Sequence, residues 1–334
     1  MTGAPGARAV DGEEFADAGR GITLCYERIG KPAATPLLLI AGLGQQLQSW
    51  PRQFCAGLAE RGFCVIRFDN RDSGHSTHLA VKPPHPVAMF TRRMGSEQYH
   101  LGDMARDTVG LLDDLGYRDA HLVGASMGGM IAQTAAAHFP SRVRSLTSIM
   151  STTGAARIGR PARKTWLMML SPPPRTRQAA VAATVRIYRQ IGSPGYPFDE
   201  SWIRSAAAQA WDRDPSDAGL RRQLAAIFQS GDRTAELRGI EVPTLVIHGD
   251  RDRMVHPTGG AATAAAIKNA RLETIPGMGH DLPPGTWTKI IHLIEATARR
   301  APAEPVSTEP VSTEPITLAG HPDTTRSDHA QTQA

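Results

Sequence analysis

Short apolar runs recur along the chain, and most are followed by a stretch whose hydrophobic positions repeat with helical spacing. Residues 36–41 (PLLLIA), 63–68 (FCVIRF), 120–124 (AHLVG), 145–150 (SLTSIM) and 243–248 (PTLVIH) read as strands, with residues 271–275 a sixth. Their hydrophobicity is continuous rather than alternating, which suits strands covered on both faces, as in a parallel sheet. Between them, residues 49–61, 101–115 and 127–138 carry helical patterns. Repeated strand–helix alternation predicts an α/β architecture with a mostly parallel central sheet and right-handed crossovers.

The alternation stops between about residues 152 and 237. That stretch is rich in Ala and Arg, helical in pattern, and broken by SPPPR at 171–175 and GSPGYPFD at 192–199. It contains no legible buried strand, so a helical cap over 152–237 is expected, inserted between two strands and seated over one end of the sheet. The core then comprises 21–151 and 238–300, and residues 1–20 form an N-terminal extension expected to be flexible. Residues 301–334 contain the unit EPVST twice and begin it a third time. Pro, Ser, Thr and Glu leave almost nothing to bury there, so a disordered tail is expected.

Composition narrows the class without naming a function. A hydrophobic content of 41% with 21% charged residues is that of a soluble globular protein. The first residues are mixed and polar, with Asp11, Glu13, Glu14 and Asp17, and no window approaches the ~18 apolar residues of a membrane span. Cys25, Cys55 and Cys64 are odd in number and lack metal-ligand spacing, so free thiols and a cytoplasmic location are expected. The net charge of +5 hides a tail of −4, leaving +9 on the other 300 residues. Residues 157–233 hold thirteen basic and six acidic side chains, which either attract anionic ligands or a membrane surface, or simply solvate the cap. No nucleic-acid partner and no integral membrane association follow from this; peripheral association stays open.

The chemistry centres on HLVGASMGGMIAQ, residues 121–133, where Gly124, Ala125, Ser126, Met127 and Gly128 form G-x-S-x-G between a strand and a helix. A nucleophile elbow needs that context, since the serine must stand on a tight, strained turn with its hydroxyl exposed above the sheet. The glycines leave room for the turn, and the helix start favours negative charge nearby. Serine needs an adjacent base held by a third group. On such a scaffold the partners follow in the order Ser, Asp/Glu, His. The chain supplies Asp250 and Asp252 in GDRDRMVHP and His280 in IPGMGHDLP. His75 and His78 precede the serine and are read as loop residues.

With these motifs together, the chain resembles the α/β-hydrolase superfamily. Within it, the chain is most similar to actinobacterial serine esterases and lipases, the mycobacterial Lip-type and aclacinomycin-methylesterase-like carboxylesterases. The resemblance spans roughly residues 20–300 and rests on LLLIAGLGQQLQSW, VIRFDNRDSGHS, LVGASMGGM, LVIHGDRDRMV and GMGHDLP. It implies an α/β-hydrolase fold with Ser126 as nucleophile and His280 as base. Asp252 is implied as the acid, with Asp250 as the alternative. It also implies an oxyanion hole from the backbone N–H groups of Leu43 and Met127, with Ala41 where many relatives carry histidine. DNRDSGHS is expected to brace the turn beside the site through Asp69 and Arg71.

The expected reaction is hydrolysis of carboxylic esters through an acyl-enzyme, with thioesters next in order. No metal or organic cofactor is called for. Trp166, Met168 and Met169, in the apolar block TWLMMLSPPP that also holds Leu167 and Leu170, are expected to line a lid or an acyl pocket. This makes a small-molecule ester or lipid-like compound the expected substrate. A cofactor-free perhydrolase of haloperoxidase type on the same triad is the alternative. A non-catalytic binding protein is the remaining rival, disfavoured because all three triad candidates are present.

Overall fold

The central strands of the sheet send successive side chains into two different cores. Leu38 and Ile40 of β3 (Thr35–Ile40) enter one hydrophobic cluster, while Leu37 and Leu39 enter the other. In β4 (Phe63–Phe68) Cys64, Ile66 and Phe68 oppose Phe63 and Val65 in the same way. A strand buried on both sides cannot alternate apolar with polar, which is why these runs read as continuous. The computed structural model describes residues 12–85, 88–89, 94–169 and 171–302. The expected tail lies outside these residues, apart from 301 and 302.

The remaining strands are β1 (Glu14–Asp17), β2 (Thr23–Ile29), β5 (Ala120–Ala125), β6 (Val143–Ile149), β7 (Thr244–Gly249) and β8 (Arg271–Ile275). The sheet is eight-stranded in the order β1-β2-β4-β3-β5-β6-β7-β8. Strands β1/β2 and β2/β4 pair antiparallel, and all others pair parallel. Helices α1 (Arg52–Ala59) and α10 (Trp287–Ala298) cover one face through Phe54, Leu58, Ile290 and Ile294. Helices α2 (Leu101–Asp114) and α3 (Met127–His138) cover the other through Met104, Leu111, Ile131 and Ala135. Between β6 and β7 lie α4 (Arg163–Met169), α5 (Arg177–Ile191), α6 (Glu200–Arg213), α7 (Ala218–Ser230) and the short α8 (Thr234–Leu237). Helix α9 (Thr258–Ala266) follows β7 and packs against it. Among the described residues no helix is long and apolar enough to cross a membrane, and the three cysteines are buried free thiols.

Two strands escaped the sequence pattern. Residues 14–17, assigned above to a flexible extension, are hydrogen-bonded to β2 in register Glu14↔Tyr26 to Asp17↔Thr23. Only Ala16 of this strand is buried, so it carries no hydrophobic run to notice. Strand β2 buries Leu24, Cys25 and Tyr26, yet its polar end is neutralised when Arg67 donates to Glu27 at 3.0 and 2.6 Å. The period-two series Ile22, Leu24, Tyr26 on one core face was its available signal.

His121 on β5 gives the fold an acid sensitivity. It is 4% exposed, its Nδ1 lies 2.8 Å from Ser145 Oγ, and its ring meets Phe63 edge-on. Burial, with the nearby charge of Arg144, depresses its pKa to about 4 against a weaker opposing pull from Asp119. A depressed folded-state pKa means the unfolded chain takes the proton more readily. The associated stability is therefore complete above about pH 6.5 and is lost as pH falls toward 4. The loss amounts to on the order of 3 kcal/mol at the acid end. Thermal melts of His121→Asn should decline less steeply between pH 7 and 4 than those of the wild type. Parallel declines would remove His121 as a cause.

Candidate active site

Ser126 stands between β5 and α3 with φ 56° and ψ −118°, a conformation that costs an L-residue about 1–3 kcal/mol. Its neighbours explain how that geometry is enforced. A Cβ on Gly124 would sit 2.1 Å from the Gly128 carbonyl oxygen, and one on Gly128 would sit 2.0 Å from that of Ile40. Backbone therefore meets backbone where β3, β5 and α3 converge, and only glycine fits. The Ser126 N–H donates to Ile149 O at 2.9 Å, and the Ser151 hydroxyl donates to Ser126 O at 2.8 Å.

The loop after β8 brings His280 back over the strand ends. Its Nε2 lies 3.0 Å from Ser126 Oγ and its Nδ1 2.7 Å from Asp252 Oδ2. Asp252 is 4% exposed, and its Oδ1 accepts the Met254 and Val255 N–H groups at 2.8 Å each. His248 Nε2 stands 3.3 Å from its Oδ2. Burial by itself would raise the Asp252 pKa. The His280 charge and the hydrogen bonds from His248 and His280 outweigh it and hold the carboxyl well below the usual range. When His280 is neutral, an ionised Asp252 favours its proton on Nδ1, which leaves the Nε2 lone pair facing the serine hydroxyl. Asp250 lies elsewhere: its Oδ1 accepts the Gly277 N–H at 2.7 Å beside Arg251. Of the two aspartates, Asp252 is the one in contact with His280.

The loop after β3 passes beside the serine, since a Cβ on Gly42 would lie 3.3 Å from Ser126 Cβ. The Met127 backbone N–H lies at the first residue of α3, where the helix itself offers no acceptor. The loop after β3 is braced from two sides. Asn70 Nδ2 donates to Ala41 O at 3.1 Å. From α7, the fully buried Gln223 accepts the Gly44 N–H at 2.8 Å and donates to Arg71 O at 2.8 Å. Sequence reasoning missed both. Asn70 lay inside a recognised motif, whereas Gln223 looked like one more solvent-facing polar residue on a cap helix.

Ser126 and His280 open onto a cavity of about 1260 Å³. Trp166, Met168 and Met169 are among the residues that line it. Leu167 instead is 66% exposed, and Leu170 lies outside the described residues. Much of the wall was not anticipated: Tyr188, Phe198, Trp202, Trp211 and Phe228 come from the later cap. Isolated aromatics in an Ala-rich helical background were their only trace in the sequence.

The cap is clasped to the core by buried ion pairs at the loop after β4. Arg213 of α6 bonds Glu13 and Asp69, and Arg222 of α7 bonds Asp72 at 2.6 and 2.8 Å. Arg71 pairs with Asp107 on α2, and Asp69 also accepts the Leu47 N–H at 2.6 Å. The bracing expected of Asp69 and Arg71 therefore reaches both the cap and α2. His75 contacts Glu13 and His78 contacts Gly74 O and Asp214, so both histidines belong to this clasp. Glu13, Cys25 and His75 bring metal-capable atoms within 4.8 Å of one another. The Arg213 guanidinium already bonds Glu13 and approaches Cys25 there, supplying the positive charge a metal would bring.

Comparison with known proteins agrees with this architecture. Residues 35–283 match the family described as alpha/beta hydrolase fold. The chain is 30% identical over 317 residues to rhodomycin D methylesterase DauP of Streptomyces sp. (strain C5), covering 84% of this chain and 96% of that protein. It is 28% identical over 281 residues to a non-heme haloperoxidase of Rhodococcus erythropolis, covering 80% and 93%. Among solved structures, the enol-lactonase of Burkholderia xenovorans LB400 superposes with a TM-score of 0.67 at 22% identity, covering 86% of this chain and all of that one. Motifs, sheet order and matched length converge on one assignment: the chain belongs to the α/β-hydrolase family of enzymes.

Proposed function

We propose that the protein is a carboxylic ester hydrolase that uses Ser126 as nucleophile, His280 as general base and Asp252 as the acid orienting it. The observation that carries this reading is the unbroken hydrogen-bonded chain from Ser126 Oγ through His280 to a carboxylate held ionised by its surroundings. Ser126 Oγ attacks the ester carbonyl while its proton passes to His280 Nε2. The tetrahedral oxyanion is met by the Leu43 N–H from the loop after β3 and the Met127 N–H at the start of α3. Collapse expels the alcohol, which takes the proton from His280. Water deprotonated by the same imidazole then releases the acid from the acyl-enzyme. Preorganised donors of this kind are worth about 10²–10³ each in rate.

The substrate is a bulky and largely apolar ester, lipid-like in bulk. A cavity of about 1260 Å³ exceeds the ~300–1,000 Å³ of ordinary ligand pockets. Its aromatic and methionine walls offer adaptable apolar contact. The methylesterase relatives favour ester chemistry, and the haloperoxidase relative keeps perhydrolysis as the second reading. The size of the cavity favours a large ester over peroxide chemistry on a small acyl donor. Halogenation driven by peroxide and outpacing ester turnover would reverse that order.

Hydrolysis of p-nitrophenyl esters from acetate to palmitate should show kcat/KM rising beyond the shortest chains. In Ser126→Ala, turnover should fall by at least about 10³-fold. Equal activity in both proteins would refute the mechanism, and activity confined to acetate and propionate would refute the substrate class.

The two aspartates separate cleanly. Asp252→Asn removes the charge that fixes the His280 tautomer and should lower kcat by about 10³–10⁴-fold. Asp250→Asn, which touches only a turn, should stay within about ten-fold of wild type. Steady-state kinetics on the best ester decides, and the opposite ranking would reassign the acid to Asp250.

A further inference from the structure

The cap and the His280 loop meet along a seam of backbone contacts just past the end of α5. The His280 N–H donates to Ile191 O at 2.7 Å, and the Gly195 N–H donates to Gly277 O at 2.9 Å. A Cβ on Gly279 would lie 2.4 Å from the carbonyl oxygens of both Ile191 and Gly192. In the middle of this seam stands the side chain of Ser193. Its hydroxyl accepts the Gly279 N–H at 2.8 Å and donates to Asp281 Oδ1. Gly279 and Asp281 are the residues immediately before and after His280.

Resting on the reading of Ser126 and His280 as nucleophile and base, we infer that Ser193 is a positioning residue that sets His280 from the cap. One bond fixes the backbone that carries the imidazole. The other engages Asp281, the carboxylate next in sequence to His280. Left unbound, that carboxylate would compete with Asp252 for the imidazole and pull Nε2 off the line to Ser126 Oγ. A displacement of about 1 Å at a reacting group can cost on the order of 10²-fold in rate.

A purely structural serine would not produce a selective effect on the chemical step. The test follows covalent labelling of Ser126 by a fluorophosphonate, a reaction that needs the serine activated by His280, with ester kinetics and thermal melting in parallel. In Ser193→Ala the labelling rate should fall about 10- to 100-fold, with kcat falling similarly and KM within about two-fold. Ser193→Thr, which keeps the hydroxyl, should recover to within about three-fold of wild type. Melting temperatures should stay within a few degrees. If the alanine variant does not fold, Ser193→Cys, near in size and weak as a hydrogen-bonding group, gives the same measurement. Wild type that fails to label, or labels equally in Ser126→Ala, overturns the hydrolase mechanism itself. Wild type labelled at Ser126 with Ser193→Ala at the same rate overturns only the role of Ser193. A loss appearing in KM alone, or one that threonine does not restore, overturns it as well.

Discussion

Helix α3 can begin where it does only because Gly124 and Gly128 let it approach β3 and β5 to backbone contact. A methyl group at either position would stand near 2 Å from a carbonyl oxygen, so no rotamer could relieve the clash. That approach fixes the direction in which the chain must leave β5, and Ser126 absorbs the turn with a positive φ. The strain of about 1–3 kcal/mol is stored at the serine and offset by the packing of three strands and a helix around it. The same geometry lifts the hydroxyl above the strand ends, beside the loops after β3, β7 and β8. The remaining site residues need only arrive on those loops.

How they are held there depends on charges that the core would not need for stability alone. Asp69 and Asp72 are fully buried, and each is matched by a cap arginine. Buried ion pairs of this kind add little net stability, because desolvation consumes most of the attraction, but breaking one leaves a buried charge unpaired. Their consequence is registry. Asp69 joins the loop after β3 through Leu47, its own turn through His75, and the cap through Arg213. A cap shifted along the core would unpair several charges at once. The clasp therefore selects a single seating for α6 and α7, and with it the placement of Gln223 on the loop that carries Leu43.

The central strands, the elbow and the ordered Ser–Asp–His series were legible because each carries a local signature: continuous apolar runs, paired glycines, and motifs at strand ends. Strands β1 and β2 were not, since an antiparallel edge with one buried residue or a neutralised Glu27 lacks a continuous run. The choice between Asp250 and Asp252 was open in the sequence, two positions apart. In the fold the loop after β7 sets Asp252 against His280 and Asp250 against the Gly277 turn, a separation that no local pattern reveals. Gln223 and Ser193 were illegible for a different reason. Each makes its contacts across long sequence separations, 179 residues to Gly44 and 88 to Asp281. No local pattern distinguishes either from an ordinary polar residue on a cap.

That illegibility bears on how the cap acts. An apolar wall binds the substrate about equally before and during reaction, so alone it would lower KM and leave kcat untouched. Donors and bases aimed at the reacting carbonyl act on the transition state instead. In many designs these tasks fall to separable parts, a variable roof and a fixed floor. Here α7 supports the loop of one candidate oxyanion donor, and the segment after α5 supports the loop of the proposed base. The aromatics that line the cavity sit on the same helices or beside them. In the proposed mechanism, changes to the roof that alter what fits would therefore also move the groups assigned to the chemical step, coupling specificity to turnover.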